Sequence, residues 1–579
     1  MKRKLFASAA MMSTFITAVG VAAAQSPTYT RQVTFGDSLS DGGAYNFAAP
    51  PGAGSFTTNP DPVWVEVLAA GLGLELEPAS AGGLNFAEGG SRVTATQPPS
   101  LFTRKPIADQ VTDFLVADSF SAGDFVTIQG GGNDLFALLA SQATVDEFIG
   151  AANSLAGLTQ TLVDTGPGTV LVANVQGIDD FNAALDTALG TLQPNAIYLN
   201  IAGLYEEIVV DPGEFGIVNV TDTACTGNSL VCLPANYVTP DANETYLLAD
   251  SVHPAGIAQR LQGQMALATV IAPGQIGQLV YTGEQFIEGS RRLATDQFRR
   301  SGEAGDVSVF GGISTDDLDI GGTTAAPGLQ STLMRFDAGV DYQLSPLVGF
   351  GASFSYVLGD AEFAQGLGDV DSDALMVTLH YRGEQDRFRW GAYSSFGQLN
   401  FDEIVRNVTL GPAIRQQVGE TEASLFGGGL EGGVDLFGDA SFIGIIGGVD
   451  YTKVDMDAYT EQGPAATSIG FGDQDFEALH VYGGAELTVP LSAGLRPFAR
   501  VVYRSDVLDN DRMITIRPNG APMAYTGGAP LADNDYVAYR AGIEWDLPSD
   551  AMLEASVEGM TARDDFDELS GGIRVTVPF

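Results

Sequence analysis

Four short segments of the sequence carry residues able to do nucleophilic chemistry. In Phe35-Gly36-Asp37-Ser38-Leu39-Ser40, a serine follows an apolar stretch at a strand-to-helix turn. Glycine permits the tight backbone there, and the serine hydroxyl is exposed. By itself this is a common loop sequence. A serine nucleophile needs a base, and the base needs a carboxylate to orient it. The chain has three histidines, and only His253 shares the N-terminal half with Ser38; His380 and His480 lie in strand-like segments further on. Asp250, three residues before His253 at a loop-to-helix entry, can reach the imidazole Nδ1–H; the competing reading is a helix-capping Asp beside a surface His. Gly130-Gly131-Gly132-Asn133-Asp134 offers the Asn133 amide as a donor to a developing oxyanion. Its alternative is a glycine-rich turn, and no Lys-Ser or Lys-Thr follows to make it a phosphate-binding loop. Asn85-Phe86-Ala87-Glu88-Gly89-Gly90-Ser91 could add a backbone N–H to the same oxyanion.

These residues must be positioned by regular elements. Between about residues 30 and 270, short apolar strands are expected at Gln32–Phe35, Asp124–Gln129, Thr169–Val175 and Ala196–Ile201, with helical segments such as Val145–Val163 between them. Alternation of strand and helix implies a parallel sheet with helices on both faces. Chemistry in such folds sits just beyond the carboxyl ends of the strands. From about residue 305 the pattern changes to segments of roughly ten residues that alternate apolar and polar between Gly, Asp, Asn and Pro turns. Val537, Tyr539, Ala541, Ile543, Trp545 and Leu547 share one face, and Ala538, Arg540, Gly542, Glu544 and Asp546 the other. About twelve such segments predict an antiparallel transmembrane barrel rather than a soluble sandwich. Gly427, Gly429 and Gly432 fit a G-x-G-x-x-G pattern, but they lie in a barrel-type segment with no α/β unit around them.

The remaining features bound the function. A net charge of -45 argues against binding nucleic acid or anionic lipid, which needs clustered Lys and Arg. Lys2, Arg3 and Lys4, an apolar stretch from Leu5 to Val21 and Ala22-Ala23-Ala24 read as a signal peptide with an A-x-A cleavage site. In an exported chain the two cysteines, Cys225 and Cys232, are expected to form a small local disulfide. The segment Gln275 to Arg300 reads as one helix with Arg291, Arg292, Arg299 and Arg300 near its end. Its alternatives are a solvated linker and a helix threaded through the barrel, with the arginines facing acidic residues such as Glu544, Glu554 or Glu558.

In order and spacing, the blocks F-G-D-S-L-S, N-F-A-x-G-G, G-G-N-D and D-x-x-H resemble the GDSL, or SGNH, hydrolase family over residues 30 to 270. With the C-terminal barrel pattern the chain resembles autotransported GDSL esterases and lipases of Gram-negative bacteria. The resemblance implies an α/β three-layer passenger followed by a transmembrane antiparallel β-barrel. It divides the chain into a signal peptide (1–24), a passenger (25–272), a linker helix (273–304) and a barrel (305–579). It implies Ser38 as nucleophile, His253 as base and Asp250 as its orienter. Ser38 N–H, Asn133 and a glycine N–H would line the oxyanion hole; Gly90 aligns better than Gly89, and Asp37 would fix the turn. The implied chemistry is hydrolysis of carboxylic esters, short to medium acyl chains favoured, with no metal or organic cofactor. The implied partners are an ester or lipid substrate, the outer membrane and the barrel-assembly machinery, with the passenger at the cell surface. Apolar residues in the Ala48–Phe56 loop and around Phe136 are candidates for an acyl site, though most are expected to pack in the core. The rival from another class is a catalytically silent surface adhesin or scaffold.

Overall fold

The structure, a computed structural model, describes residues 28–96, 104–437, 441–491, 494–508, 512–530, 534–548, 550–563 and 566–579. The expected signal peptide lies outside the described residues. The N-terminal half runs β1 (Arg31–Phe35), α1 (Trp64–Gly71), α2 (Ile107–Ala117), β2 (Asp124–Gln129), α3 (Gly132–Leu139), α4 (Val145–Asp164), β3 (Thr169–Ala173), α5 (Asp179–Leu192), β4 (Ile197–Leu199), α6 (Ile201–Val210), β5 (Asn219–Thr223), α7 (Ala242–Thr245), β6 (Tyr246–Leu248) and α8 (Gly256–Ile276). Strands β1 to β4 form a parallel sheet in sequence order.

Alternation along each strand divides the core in two. Val33, Phe35, Val126, Ile128, Val170, Val172 and Tyr198 pack with α2, α4 and α5 on one face. Phe125, Leu171, Ala173, Ile197 and Leu199 pack with α1, α6 and α8 on the other. The result is a three-layer α/β unit. Strands β3 and β4 end earlier than their apolar runs suggest, because two asparagines take the chain out of the sheet. Asn200 accepts the Gly203 N–H (3.0 Å) as the N-cap of α6, and Asn174 donates to Asn200 Oδ1 (2.8 Å).

In the C-terminal half, twelve antiparallel strands among the described residues close a barrel, from Val307–Ile320 to Phe566–Pro578. The last strand pairs with the first, Pro578 opposite Ser308 and Phe566 opposite Ile320. Leu375, Val377, Leu379 and Tyr381 are exposed on the outside, and Met376, Thr378 and His380 are buried inside. The outward apolar band with a polar interior is the arrangement that a lipid surroundings demands. No helix among the described residues is long and apolar enough to cross a membrane.

The expected helix from Gln275 to Arg300 is interrupted. α8 ends at Ile276, and α9 (Leu279–Gln297) begins after Gly277 and Gln278. Pro273, in the last turn of α8, lacks a donor and crowds the preceding turn. The carbonyls at the junction find side-chain partners instead: Gln278 Nε2 donates to Gly274 O (3.1 Å) and Arg512 Nη2 to Gly277 O (2.8 Å). α9 runs inside the barrel and is buried throughout. Arg291 meets Glu558 (2.7 Å), Arg292 meets Asp316 and Glu568, and Arg299 meets Asp296 (2.8 Å) and Glu544 (3.4 Å). Arg300 pairs with the Thr576 hydroxyl rather than with one of the carboxylates expected for it. Two long barrel loops build a small sheet against the α/β unit, where Tyr525 Oη lies 2.9 Å from Thr169 Oγ1.

Candidate active site

Three chain segments deliver the catalytic candidates to one point. β1 ends at Phe35, and the turn after it carries Ser38, only 7% exposed. The turn is held by side chains on both sides. Gln110 of α2 brackets the Gly36 peptide, accepting from Gly36 N (3.0 Å) and donating to Gly36 O (2.9 Å). Asp37 Oδ1 accepts the Leu39 N–H (3.0 Å), an Asx turn that fits the structural role expected of it. Burial pushes the Asp37 carboxyl up to about 6.

β6 delivers the second segment. His253 Nε2 lies 2.9 Å from Ser38 Oγ, and His253 Nδ1 lies 2.9 and 3.0 Å from the two oxygens of Asp250. Asp250 Oδ1 also accepts the backbone N–H groups of Val252 (3.0 Å) and His253 (2.9 Å). Its Oδ2 accepts the Ser229 N–H (2.9 Å). Burial opposes ionisation of Asp250, but the hydrogen bonds and charge of His253, with the help of Ser229, outweigh it and hold the carboxyl well below its usual range. A fixed carboxylate behind Nδ1 keeps Nε2 free to accept a proton from Ser38. The Phe56 ring lies over the imidazole, centroids 5.0 Å apart.

The third segment brings donors. Asn133 opens α3 just beyond β2, and its Nδ2 stands 3.5 Å from Asp37 Oδ2. That separation is too long for a strong bond, so the amide is available to another acceptor. Asp134 ties this block to the preceding one: it accepts from Arg92 Nε (3.0 Å) and Val93 N (3.0 Å). The two glycine candidates differ. The Gly89 N–H is committed to Asp41 Oδ2 (2.8 Å). Gly90 has φ +89°, a conformation that favours glycine, and a Cβ there would press on the Arg104 side chain at 3.1 Å. Neither Gly90 N–H nor Ser38 N–H donates to a protein acceptor among the described residues.

The residues considered for an acyl site divide: Ala53 and Ala137 are buried, and Leu135 and Leu138 pack against the core. Ala48, Pro50 and Pro51 are exposed, and Phe136 is 44% exposed. Phe136 lies one turn beyond Asn133 on α3, so the two share a helix face. Two contributors had no legible signal in the sequence: Gln110 lies in an unremarkable segment, and Ser229 sits between Cys225 and Cys232, which are disulfide-bonded. A metal-like grouping, Glu288, Asp450 and His480, lies inside the barrel. Arg504 already bridges Glu288 (3.1 Å) and Asp450 (2.7 Å), and Arg291 holds Glu288 (2.5 Å), so cationic side chains occupy the place a metal ion would take.

Comparison with known proteins agrees with this architecture. The family described as "GDSL-like Lipase/Acylhydrolase" matches residues 33–263, and "Autotransporter beta-domain" matches residues 309–558. Esterase EstA of Pseudomonas aeruginosa is 24% identical over 359 residues, covering 59% of this chain and 55% of that protein; the chain thus spans little more than half the length of that relative. Lipase 1 of Photorhabdus luminescens is 21% identical over 663 residues, covering 96% of this chain and 97% of its own. Among solved structures, the translocator domain of autotransporter NalP from Neisseria meningitidis aligns with 52% of this chain and 98% of its own, at 15% identity and a TM-score of 0.44. The chain thus carries a segment that matches the GDSL-like lipase/acylhydrolase family, followed by one that matches the autotransporter β-domain.

Proposed function

We propose that this chain is a cell-surface serine esterase that hydrolyses carboxylic esters through an acyl-enzyme and is exported and anchored by its own barrel. The observation that carries the reading is the continuous Ser38–His253–Asp250 hydrogen-bond chain, with 2.9 Å from Ser38 Oγ to His253 Nε2 and 2.9 Å from His253 Nδ1 to Asp250. His253 Nε2 takes the Ser38 proton as Oγ attacks the ester carbonyl carbon. The oxyanion that forms accepts from Ser38 N–H, Gly90 N–H and the Asn133 amide. The intermediate collapses with loss of the alcohol, which receives its proton from His253, and leaves Ser38 acylated. A water molecule, deprotonated by His253, attacks the acyl group and releases the acid.

Short to medium acyl chains are the proposed substrates. Phe56 beside His253 and the half-exposed Phe136 supply apolar surface near the nucleophile and the oxyanion donor. The names of the similar proteins, an esterase and a lipase, point the same way. We further propose that residues 25–272 form the passenger, that 273–304 link it through the barrel, and that the barrel-assembly machinery inserts residues 305–579. The test is hydrolysis of a chromogenic ester series, acetyl to palmitoyl, by whole cells expressing this chain or its Ser38→Ala variant at equal levels. Activity on intact cells that disappears in the variant supports nucleophile and display together. Equal hydrolysis by both strains refutes the esterase reading and favours the adhesin or scaffold.

A further inference from the structure

Ser229 stands against both Asp250 and His253, and the mechanism above does not use it. It is fully buried. Its N–H donates to Asp250 Oδ2 (2.9 Å), and its Oγ lies 3.1 Å from His253 Nδ1. It opens a single 3-10 turn, Ser229–Val231, whose N-cap Asn228 accepts the Leu230 N–H (2.9 Å). Cys225 and Cys232 close a disulfide around this turn. One end of the loop is pinned to the chain that delivers Asp250: Ala224 N–H donates to Leu248 O (2.8 Å) and Cys225 N–H to Ala249 O (2.9 Å). The other end is pinned by Asn59, whose Nδ2 donates to Ser229 O (2.8 Å) and whose N–H donates to Cys232 O (2.9 Å).

We propose that Ser229, held in place by the Cys225–Cys232 loop, is a positioning residue that locks the Asp250–His253 pair for proton transfer. The proposal rests on the esterase reading. Asp250 Oδ1 has two backbone donors, whereas the only backbone donor to Oδ2 among the described residues is Ser229 N–H. That donor stops the carboxylate from pivoting away from Nδ1. The hydroxyl acts on a different step. Nδ1–H donates in both protonation states of His253 and has Ser229 Oγ as a second acceptor 3.1 Å away; the contact strengthens when the ring takes the Ser38 proton and becomes cationic, so the imidazolium gains more than the neutral ring does. An interaction that strengthens as the proton moves raises kcat and leaves KM alone.

The experiment measures kcat, KM and the pH profile of the full-length chain in detergent on a chromogenic butyrate ester. Rates are expressed per active site titrated with a phosphonate that reacts with Ser38, so only folded sites count. Ser229→Ala keeps the N–H and removes the hydroxyl. Its kcat should fall roughly tenfold, as expected for loss of a hydrogen bond to a charged group, with KM within about twofold. The acid limb of its kcat/KM profile should move to lower pH, and Ser229→Thr should restore most of the rate. Cys225→Ser with Cys232→Ser should lower kcat in the same way, and adding Ser229→Ala to that pair should cost less than about twofold more, because residues acting as a unit are not additive. A Ser229→Ala enzyme with wild-type kcat and pH profile, while Ser38→Ala is inactive, overturns the proposal and leaves the esterase reading intact. A full tenfold cost of Ser229→Ala in the cysteine-free background overturns the role of the disulfide loop. If wild type and Ser38→Ala hydrolyse alike, the esterase reading fails and this proposal fails with it.

Discussion

Asp250→Asn separates the orienting role of the carboxylate from its bulk. The two oxygens of Asp250 face donors on both sides: Val252 N–H and His253 N–H at Oδ1, Ser229 N–H at Oδ2, and His253 Nδ1 near both. An asparagine has one oxygen, and the pair of backbone donors at Oδ1 will claim it. The new NH₂ then takes the Oδ2 place, 3.0 Å from Nδ1, where it can only donate and so opposes the Nδ1–H that the retained oxygen would accept. This moves the imidazole proton to Nε2, which lies 2.9 Å from Ser38 Oγ and can no longer accept the serine proton. A wrong tautomer in an intact triad costs about 10⁴ in kcat, or about 5.5 kcal/mol of transition-state stabilisation. Substrate binding does not involve Asp250, so KM should stay within about twofold. The assay is kcat and KM for a chromogenic butyrate ester on the purified full-length chain, per titrated active site. An Asp250→Asn enzyme that keeps more than about a tenth of the wild-type kcat would refute the orienting role.

Three further outcomes follow from the geometry. Asn133→Ala removes the proposed side-chain oxyanion donor and should lower kcat by roughly 10²–10³ with little change in KM, read in the same ester assay. The α/β unit should melt at a lower temperature as pH rises from about 4 to 7. Burial pushes Asp41 and Glu66 up to about 7 and Asp37 up to about 6, so the folded state holds protons that the unfolded state has already released, and stability present below the unfolded values is lost as pH climbs through the folded ones. Glu66→Gln, which keeps the oxygen that accepts the Val63 N–H (2.8 Å), should flatten that dependence in a melting series, and an unchanged slope would count against it. Arg291→Ala should lower the temperature at which the barrel unfolds on a heat-modifiability gel, because Glu288 and Glu558 lose a buried partner and breaking such a pair costs about 3–5 kcal/mol.

The sequence was explicit about much of this protein. Ser38, Asn133, Asp250 and His253 stand out as candidates because nucleophilic chemistry restricts residue type, and because the strand ends that carry them leave short, patterned signatures. The barrel was legible for a different reason. A strand with lipid outside and polar groups inside must alternate at every position, as Val537 to Trp545 does, so local sequence carries the global constraint. The interruption of the connecting helix was harder to read, since Pro273 and Gly277 each occur in continuous helices elsewhere and only the barrel mouth, with Gln278 and Arg512, makes a break acceptable here. Only the tertiary structure shows that one of the two candidate glycine N–H groups, that of Gly89, is already taken within the protein. Gly89 and Gly90 are chemically identical, and the choice depends on Asp41, nearly fifty residues away in sequence, taking the N–H of one of them. It also decided the partners of the arginines on α9. Charge in the sequence says that each needs an acid, but Asp316, Glu558 and Glu568 come from strands at opposite ends of the barrel chain, and only its closure brings them around one helix. Ser229 belongs to the same class: its contact with His253 spans twenty-four residues and exists because a disulfide and Asn59 fold its loop back, which residue type alone does not encode.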